Sequence, residues 1–193
     1  MTPRLRRDDA GFSLVELLVA MGLFGIIITI VGSVIISALT ADRTVREVTG
    51  STTDGQLVVN IIEETVRNST AVAVSTAADG VSTFATTRTT AGGSARCQSW
   101  FYDDSLGAVF ERSSTTAVAA PNPGAVGAEW TRVSDGVAPV DDGTGTLLPV
   151  FALEGTRGIS VTFSVDGGSG TSSLFITTVT GRAPQSNVSP QCF

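Results

Sequence analysis

The stretch DDAGFSLVELLVAMGLFGIIITIVGSVIISALTAD, residues 8–42, decides how this chain is organised. It carries no charged residue from Leu17 to Ala41. A helix over residues 17–39 would be roughly 35 Å long, enough to cross the hydrocarbon core of a bilayer. One acid, Glu16, lies directly before the run. Because a charge near lipid costs free energy, we expect the sequence to offer Glu16 a compensating partner.

Two common explanations of an apolar N-terminal run fit this stretch poorly. A cleaved secretory signal has an apolar core of about 7–15 residues and small residues before its cleavage site. Here the run is longer, and Leu39 occupies the third position before a cut after Ala41. A plain membrane anchor fits the length but leaves Glu16 unexplained. Arginines precede the run, so the positive-inside rule predicts a cytoplasmic N-terminus and an extracytoplasmic body.

The residues GFSLVELLVAM, 11–21, resemble the prepilin processing motif of type IV pilins and pseudopilins. That family has a short charged leader ending in Gly, then Phe, then an apolar helix with Glu at the fifth mature position. Here the leader is residues 1–11, the first mature residue is Phe12, and the glutamate is Glu16. The resemblance implies that a membrane-embedded prepilin peptidase cuts between Gly11 and Phe12 and N-methylates Phe12.

The resemblance also implies the partners and the destination of the chain. The subunit would lie in membrane lipid first, and would then join other pilin or pseudopilin subunits at an inner-membrane assembly platform. It would end in a surface or periplasmic filament. The length and the presence of Glu16 are most like a larger minor pilin or minor pseudopilin. No cofactor is expected.

Simple electrostatics gives Glu16 a partner in such an assembly. Cleavage creates an ammonium group on Phe12 that the precursor does not have, and N-methylation keeps its charge. When a subunit leaves lipid for a helix bundle, an unpaired buried carboxylate costs several kcal/mol. A neighbour's Phe12 amine would remove that cost. The alternative, that a glutamate is merely favoured near a helix N-terminus, explains its position but not the Gly-Phe junction.

The family resemblance implies an α+β fold in which a long N-terminal α-helix packs on an antiparallel β-sheet, and the sequence pattern agrees with it. We divide the chain into a leader (1–11), a transmembrane and assembly helix (12–41), an amphipathic helix continuation (42–70) and a β-rich domain (71–193). Val58, Ile62 and Val66 form a helical apolar stripe that should face the sheet. The segment GSTTDG, with two glycines that disfavour helix, predicts a frayed joint or a short linker.

The remaining sequence is rich in Thr, Ser, Gly and Val and predicts short strands with tight turns. The segments 80–88, 97–104, 107–114, 146–155, 158–166 and 172–182 are the strand candidates. The segment DGGSGTS is predicted to join the last two as a hairpin. Residues 113–147, which contain three prolines, are predicted to be a loop-rich surface.

The two cysteines, Cys97 and Cys192, match no zinc-binding spacing, so a zinc site is excluded. In an extracytoplasmic body they are expected to form a disulfide. The alternative is two free thiols. Asp103–Asp104 and Asp141–Asp142 have oxygens that calcium prefers, but they fit no EF-hand spacing and are more typical of turns.

Charge and composition narrow the function classes. The chain has no His, so no His-dependent hydrolytic site exists. The leader holds three of the 12 arginines and two of the 18 acids, so its removal leaves a net charge of −7, which disfavours nucleic acid as a partner. Trp100, Phe101 and Tyr102 could stack bases, but core residues are the better interpretation.

Three functions remain open from the sequence. The leading interpretation is a structural, non-enzymatic subunit of a type IV filament. The alternative is a membrane-anchored extracytoplasmic binding module, an adhesin or DNA-capture subunit. A membrane-anchored enzyme or sensor is the third, and it lacks any catalytic cluster.

Overall fold

The computed structural model describes residues 13–168, 170–182 and 191–193. In this part of the chain, one long helix, α1 (Leu14–Arg67), is followed by eleven β-strands. The chain divides into two units, residues 1–43 and 44–193. Gly11 and Phe12, the predicted processing residues, lie outside the described residues.

The first unit contains the apolar part of α1. Its large hydrophobic side chains, from Leu14 to Leu39, are each between 50% and 74% exposed. The helix is long and apolar enough to cross a membrane, and none of its most apolar stretch is buried. A core helix of a soluble protein would bury such residues, so this part of α1 has the surface expected of a lipid-facing helix.

The second unit contains the end of α1 and the β-strands. These are β1 (Ser69–Thr76), β2 (Thr83–Thr89), β3 (Arg96–Asp103), β4 (Ala108–Ser114), β5 (Thr131–Asp135), β6 (Val137–Ala138), β7 (Val140–Asp141), β8 (Leu147–Leu148), β9 (Phe151–Glu154), β10 (Gly158–Asp166) and β11 (Ser172–Thr180).

The strands form three antiparallel sheets. The first has the order β1-β2-β3-β4-β5. The second has the order β11-β10-β6, and β9 also pairs with β10. A small hairpin of β7 and β8 is the third. The predicted α+β class, a long N-terminal helix with an antiparallel sheet, is therefore confirmed.

The main core lies between the end of α1 and the two larger sheets. The predicted stripe of Val58, Ile62 and Val66 is buried there. It packs in one cluster with Trp100 and Tyr102 of β3 and with the alternating apolar residues of β10 (Ile159, Val161, Phe163 and Val165). The helical period of the stripe and the two-residue period of β10 place both apolar faces against each other.

A second core covers the other face of β3. Phe84, Phe101 and Phe110, from three adjacent strands, pack there against Trp130 and Val118. The ring of Trp130 lies 6.3 Å from that of Phe84 in an edge-on arrangement. Residues that follow β4 therefore close this face of the first sheet and bury β3 on both sides.

The predicted break in the helix at GSTTDG is wrong, because α1 continues through it. Ser51 and Gly55 are buried. The hydroxyl of Ser51 lies 3.1 Å from that of Ser173 on β11. A Cβ placed on Gly55 would lie 2.1 Å from the ring of Phe175. Tertiary contact with β11 thus overrides the low helix propensity of this segment, and Gly55 permits the close approach.

Three further predictions about local structure need correction. The helix ends at Arg67 rather than at residue 70, and β1, which was not predicted, begins at Ser69. The strand predicted over 146–155 is split into β8 and β9, with Pro149 between them, because proline donates no ladder hydrogen bond. The predicted loop 113–147 contains β5, β6 and β7.

The glycines of α1 give a matched test of this packing. Gly55→Ala should lower the free energy of unfolding by about 1–3 kcal/mol, because the new methyl group overlaps Phe175. Gly50→Ala should raise it by up to about 1 kcal/mol, because nothing lies within 4 Å of a Cβ at Gly50. Urea unfolding of the full chain in detergent measures both changes. Equal effects at the two positions would contradict the packing of α1 on β11.

Candidate assembly site and the disulfide-bonded body

The N-terminus of α1 positions Glu16 in the first turn of the helix. The hydroxyl of Ser13 accepts a hydrogen bond from the Val15 amide at 3.3 Å, so Ser13 caps the helix. The Ser13-x-x-Glu16 spacing also matches a capping box, a local signal that the expectations above did not use. Both features fix where the helix begins and place Glu16 on its first turn.

The favourable interaction of Glu16 with the helix N-terminus is too small to offset the free-energy cost of burying its carboxylate. An acid in the first turn gains about 0.3–1 kcal/mol from the helix macrodipole. Burying an unpaired carboxylate costs several kcal/mol. Glu16 is exposed in the isolated chain, so this cost arises only when another surface covers it.

The body is closed by a disulfide between Cys97 on β3 and Cys192, whose Cα atoms are 5.4 Å apart. Both cysteines are buried in the second core. The bond attaches the C-terminal residues to the first sheet across a sequence separation of 95 residues. The free-thiol alternative does not describe this structure.

Asp103, one of the calcium candidates, has a structural role instead. It is fully buried at the end of β3. One carboxylate oxygen accepts hydrogen bonds from the Ser105 hydroxyl at 2.7 Å and the Leu106 amide at 3.3 Å. The other accepts one from the Gly124 amide at 2.7 Å. Asp103 thereby holds the β3–β4 turn and the loop at Gly124 together.

The aspartates of the second candidate pair, Asp141 and Asp142, also serve turns. Asp141 accepts hydrogen bonds from the Gly143 and Gly145 amides, and Asp142 accepts them from Thr144. The hydrogen bonds from Thr144 hold the pKa of the Asp142 carboxyl below its usual range. Within the described residues there is no group of three or more side chains suited to hold a metal ion.

The aromatic run of β3 belongs to the core rather than to a binding surface. Trp100, Phe101 and Tyr102 are each at most 1% exposed, so none offers a face for base stacking. Burial raises the pKa of the Tyr102 phenol far above its usual value, and its hydrogen bond to Asp104 acts in the same direction.

Comparison with known families identifies the N-terminal segment. A family model described as the prokaryotic N-terminal methylation motif matches residues 6–32. The match covers the N-terminal segment alone and indicates a type IV pilin-like N-terminus. The motif implies processing by prepilin peptidase and assembly with other pilin subunits, and with the apolar helix it fits membrane anchoring. Comparisons with curated proteins and with solved structures returned no match.

The disulfide should make a large contribution to stability. In the chain-entropy view, replacing Cys97 and Cys192 by Ser lowers the free energy of unfolding by about 4–5 kcal/mol, because the unfolded chain loses a long closed loop. Urea unfolding of both proteins measures the difference. A reductant should destabilise the parent chain and leave the double variant unchanged, and free thiols in the natively isolated protein would contradict the bond.

The buried carboxylate of Asp103 can be tested separately. Asp103→Asn should lower the free energy of unfolding by about 1–3 kcal/mol, because an amide NH2 replaces an oxygen that accepts from protein donors. Asp142→Asn is the matched control and should change it by less than about 0.5 kcal/mol, because Asp142 is exposed. Equal effects would contradict the turn-holding role of Asp103.

Proposed function

We propose that the chain is a minor pilin or minor pseudopilin, a structural subunit of a type IV filament. Prepilin peptidase cuts the precursor between Gly11 and Phe12 and methylates the new amine of Phe12. The subunit is held in the membrane by the apolar part of α1 until an inner-membrane assembly platform moves it into the filament. The observation that carries the proposal is the methylation motif at residues 6–32, which leads directly into an exposed apolar helix.

The N-terminal residues and the body are expected to lie on opposite sides of the membrane, as this function requires. Three arginines lie before the apolar run and predict a cytoplasmic N-terminus. The body contains a disulfide, and disulfides persist in oxidising compartments outside the cytoplasm. A single crossing by α1 accounts for both.

In the filament, Glu16 pairs with the methylated Phe12 amine of a neighbouring subunit. This contact places two opposite charges together where lipid and water are excluded, which offsets the cost of burying each alone. Cleavage and assembly are thereby coupled, because the cation exists only after the cut.

Two measurements in producing cells test the proposal. Mass spectrometry of the N-terminal peptide should show a chain that begins at N-methylated Phe12. Glu16→Ala should still be cleaved, but its amount in sheared filaments should fall by about tenfold or more, because a lost buried ion pair is worth several kcal/mol.

Asp54→Ala is the matched control, since it removes an exposed acid from the same helix. It should leave incorporation unchanged. A mature chain that still begins at Met1 would contradict the assignment to the pilin class. Normal incorporation of Glu16→Ala into filaments would contradict only the charge pair between Glu16 and Phe12.

A further inference from the structure

β11 (Ser172–Thr180) lies at the outer edge of the second sheet. On one side it pairs with β10 over all nine residues, without a bulge. On the other side, no hydrogen bond from the part of the chain that the structure describes reaches its backbone. The N–H and C=O groups on this side therefore form an open row that another strand can pair with.

The sequence of β11 does not protect this edge. Charged side chains, prolines and bulges on an edge strand prevent another strand from pairing with it. The nine residues of β11, SSLFITTVT, include no charge, no proline and no glycine. By contrast, β5, at an edge of the first sheet, carries Arg132 and Asp135, and β9 ends at Glu154. The edge of β11 is thus open to pairing in a way that these strands are not.

Two apolar side chains lie on the outer face of β11. Leu174 is 58% exposed and Ile176 is 68% exposed. Their partners on β10 are the polar residues Ser164 and Thr162, so the apolar surface lies at the edge of the sheet rather than at its middle. A strand added beside β11 would place its own side chains about 5 Å from Leu174 and Ile176. Apolar side chains at alternate positions of that strand would cover both residues.

The inner face of β11 is held by α1, so the edge is ordered before any partner binds. The Ser173 hydroxyl lies 3.1 Å from that of Ser51. The Thr177 hydroxyl donates a hydrogen bond to the Glu63 carboxylate at 2.6 Å. Because these contacts already fix the strand, a partner that pairs with it loses less free energy to ordering.

The charges around the edge indicate that the partner segment is uncharged. On the side of α1 that meets β11, Thr52, Gln56, Val59 and Glu63 form one row at helical spacing. Glu63 is the one charged member of this row, and it already pairs with Arg67 at 3.0 Å. A charged side chain on the partner would therefore lose water here without gaining an opposite charge.

The direction of β11 argues against a second copy of this chain as the partner. α1 and β11 run the same way, because Ser51 meets Ser173 and Glu63 meets Thr177. Antiparallel pairing, the more stable arrangement of two strands, would make the α1 helices of two copies point in opposite directions. Copies anchored in one membrane point the same way, a step that rests on the proposed function. The occupant is therefore a segment of a different protein.

We propose that the outer edge of β11 is a docking site for an extended, uncharged segment of another protein, which adds a strand to the second sheet. The backbone of that segment pairs with the open row of β11, and its alternate apolar side chains cover Leu174 and Ile176. Backbone pairing supplies affinity, and the fit to these two side chains selects the register. The site goes beyond the proposed function, because it gives the body a partner that α1 does not contact.

A short peptide tests the site on the purified full chain in detergent. The probe is the uncharged peptide TVTITVT with blocked ends, which alternates polar and apolar residues. Hydrogen exchange followed by mass spectrometry should show the open amides of β11 exchanging at least tenfold more slowly with saturating peptide, and those of β5 unchanged. The control peptide has the same side chains and carries N-methyl groups on two adjacent residues, which block both of its edges. It should protect nothing.

A pair of variants locates the binding. Ile176→Lys places a charge beside the edge, so the peptide concentration for half-maximal protection should rise at least tenfold. Ile176 is exposed, so the fold should tolerate the change. Leu153→Lys is the matched control, because Leu153 is 49% exposed on β9 and β10 separates it from β11. It should leave peptide binding unchanged.

Three results would overturn the docking site. They are no protection by TVTITVT, equal protection by the methylated peptide, and equal binding to Ile176→Lys and Leu153→Lys. A dimer of the peptide-free chain that Ile176→Lys dissociates would make the occupant a second copy and would overturn the proposal as well. All of these are measured on the purified chain, so failure of the chain to enter filaments would count against the proposed function and not against the site.

Discussion

The packing of one stripe of α1 against two sheets is the interaction on which the body depends. Val58, Ile62 and Val66 occupy the centre of the main core, and both sheets contribute to their surroundings. Without this stripe the inner faces of β3 and β10 would have no common partner. In residues 14–39 the apolar residues of α1 lie on all sides of the helix, whereas after residue 44 they lie on one side. A single helix thus has one part suited to lipid and one part suited to packing on a sheet in water. The boundary between these patterns is where the chain divides into its two units.

Close approach of α1 to β11 explains the composition of the helix better than propensity does. Gly55 and Ser51 are poor helix formers, yet they are the small residues that face Phe175 and Ser173. Larger residues would gain helix propensity of less than about 1 kcal/mol and would lose the fit to the stacked pair of Phe163 and Phe175, whose ring centroids are 5.1 Å apart. Packing therefore decides the sequence at these positions.

The parts of the fold that rest on periodicity could be predicted from the sequence. The stripe of α1 and the alternation of β10 are buried as their patterns indicate, and the predicted disulfide is present. Features that rest on contacts between distant residues could not be predicted. The helical conformation at Gly55 depends on packing against β11, which lies more than a hundred residues later in the chain. β1 consists of Ser, Thr, Ala and Val, and its alternation of apolar and polar residues is weak. The role of Asp103 depends on Gly124, which no local pattern connects to it.

In the proposed assembly, the pair of Glu16 with a neighbour's Phe12 amine depends on two separate events. Cleavage must first create the amine, and assembly must then remove the water around both groups, because a carboxylate buried without a cation costs several kcal/mol. The exposed aspartates of the body's turns differ from Glu16, because they stay hydrated and salt screens their interactions. Glu16 can be found in the sequence because it lies within one motif. The contacts that Asp104 and Asp166 make with neighbouring turns cannot be found there, because the topology alone brings those turns together.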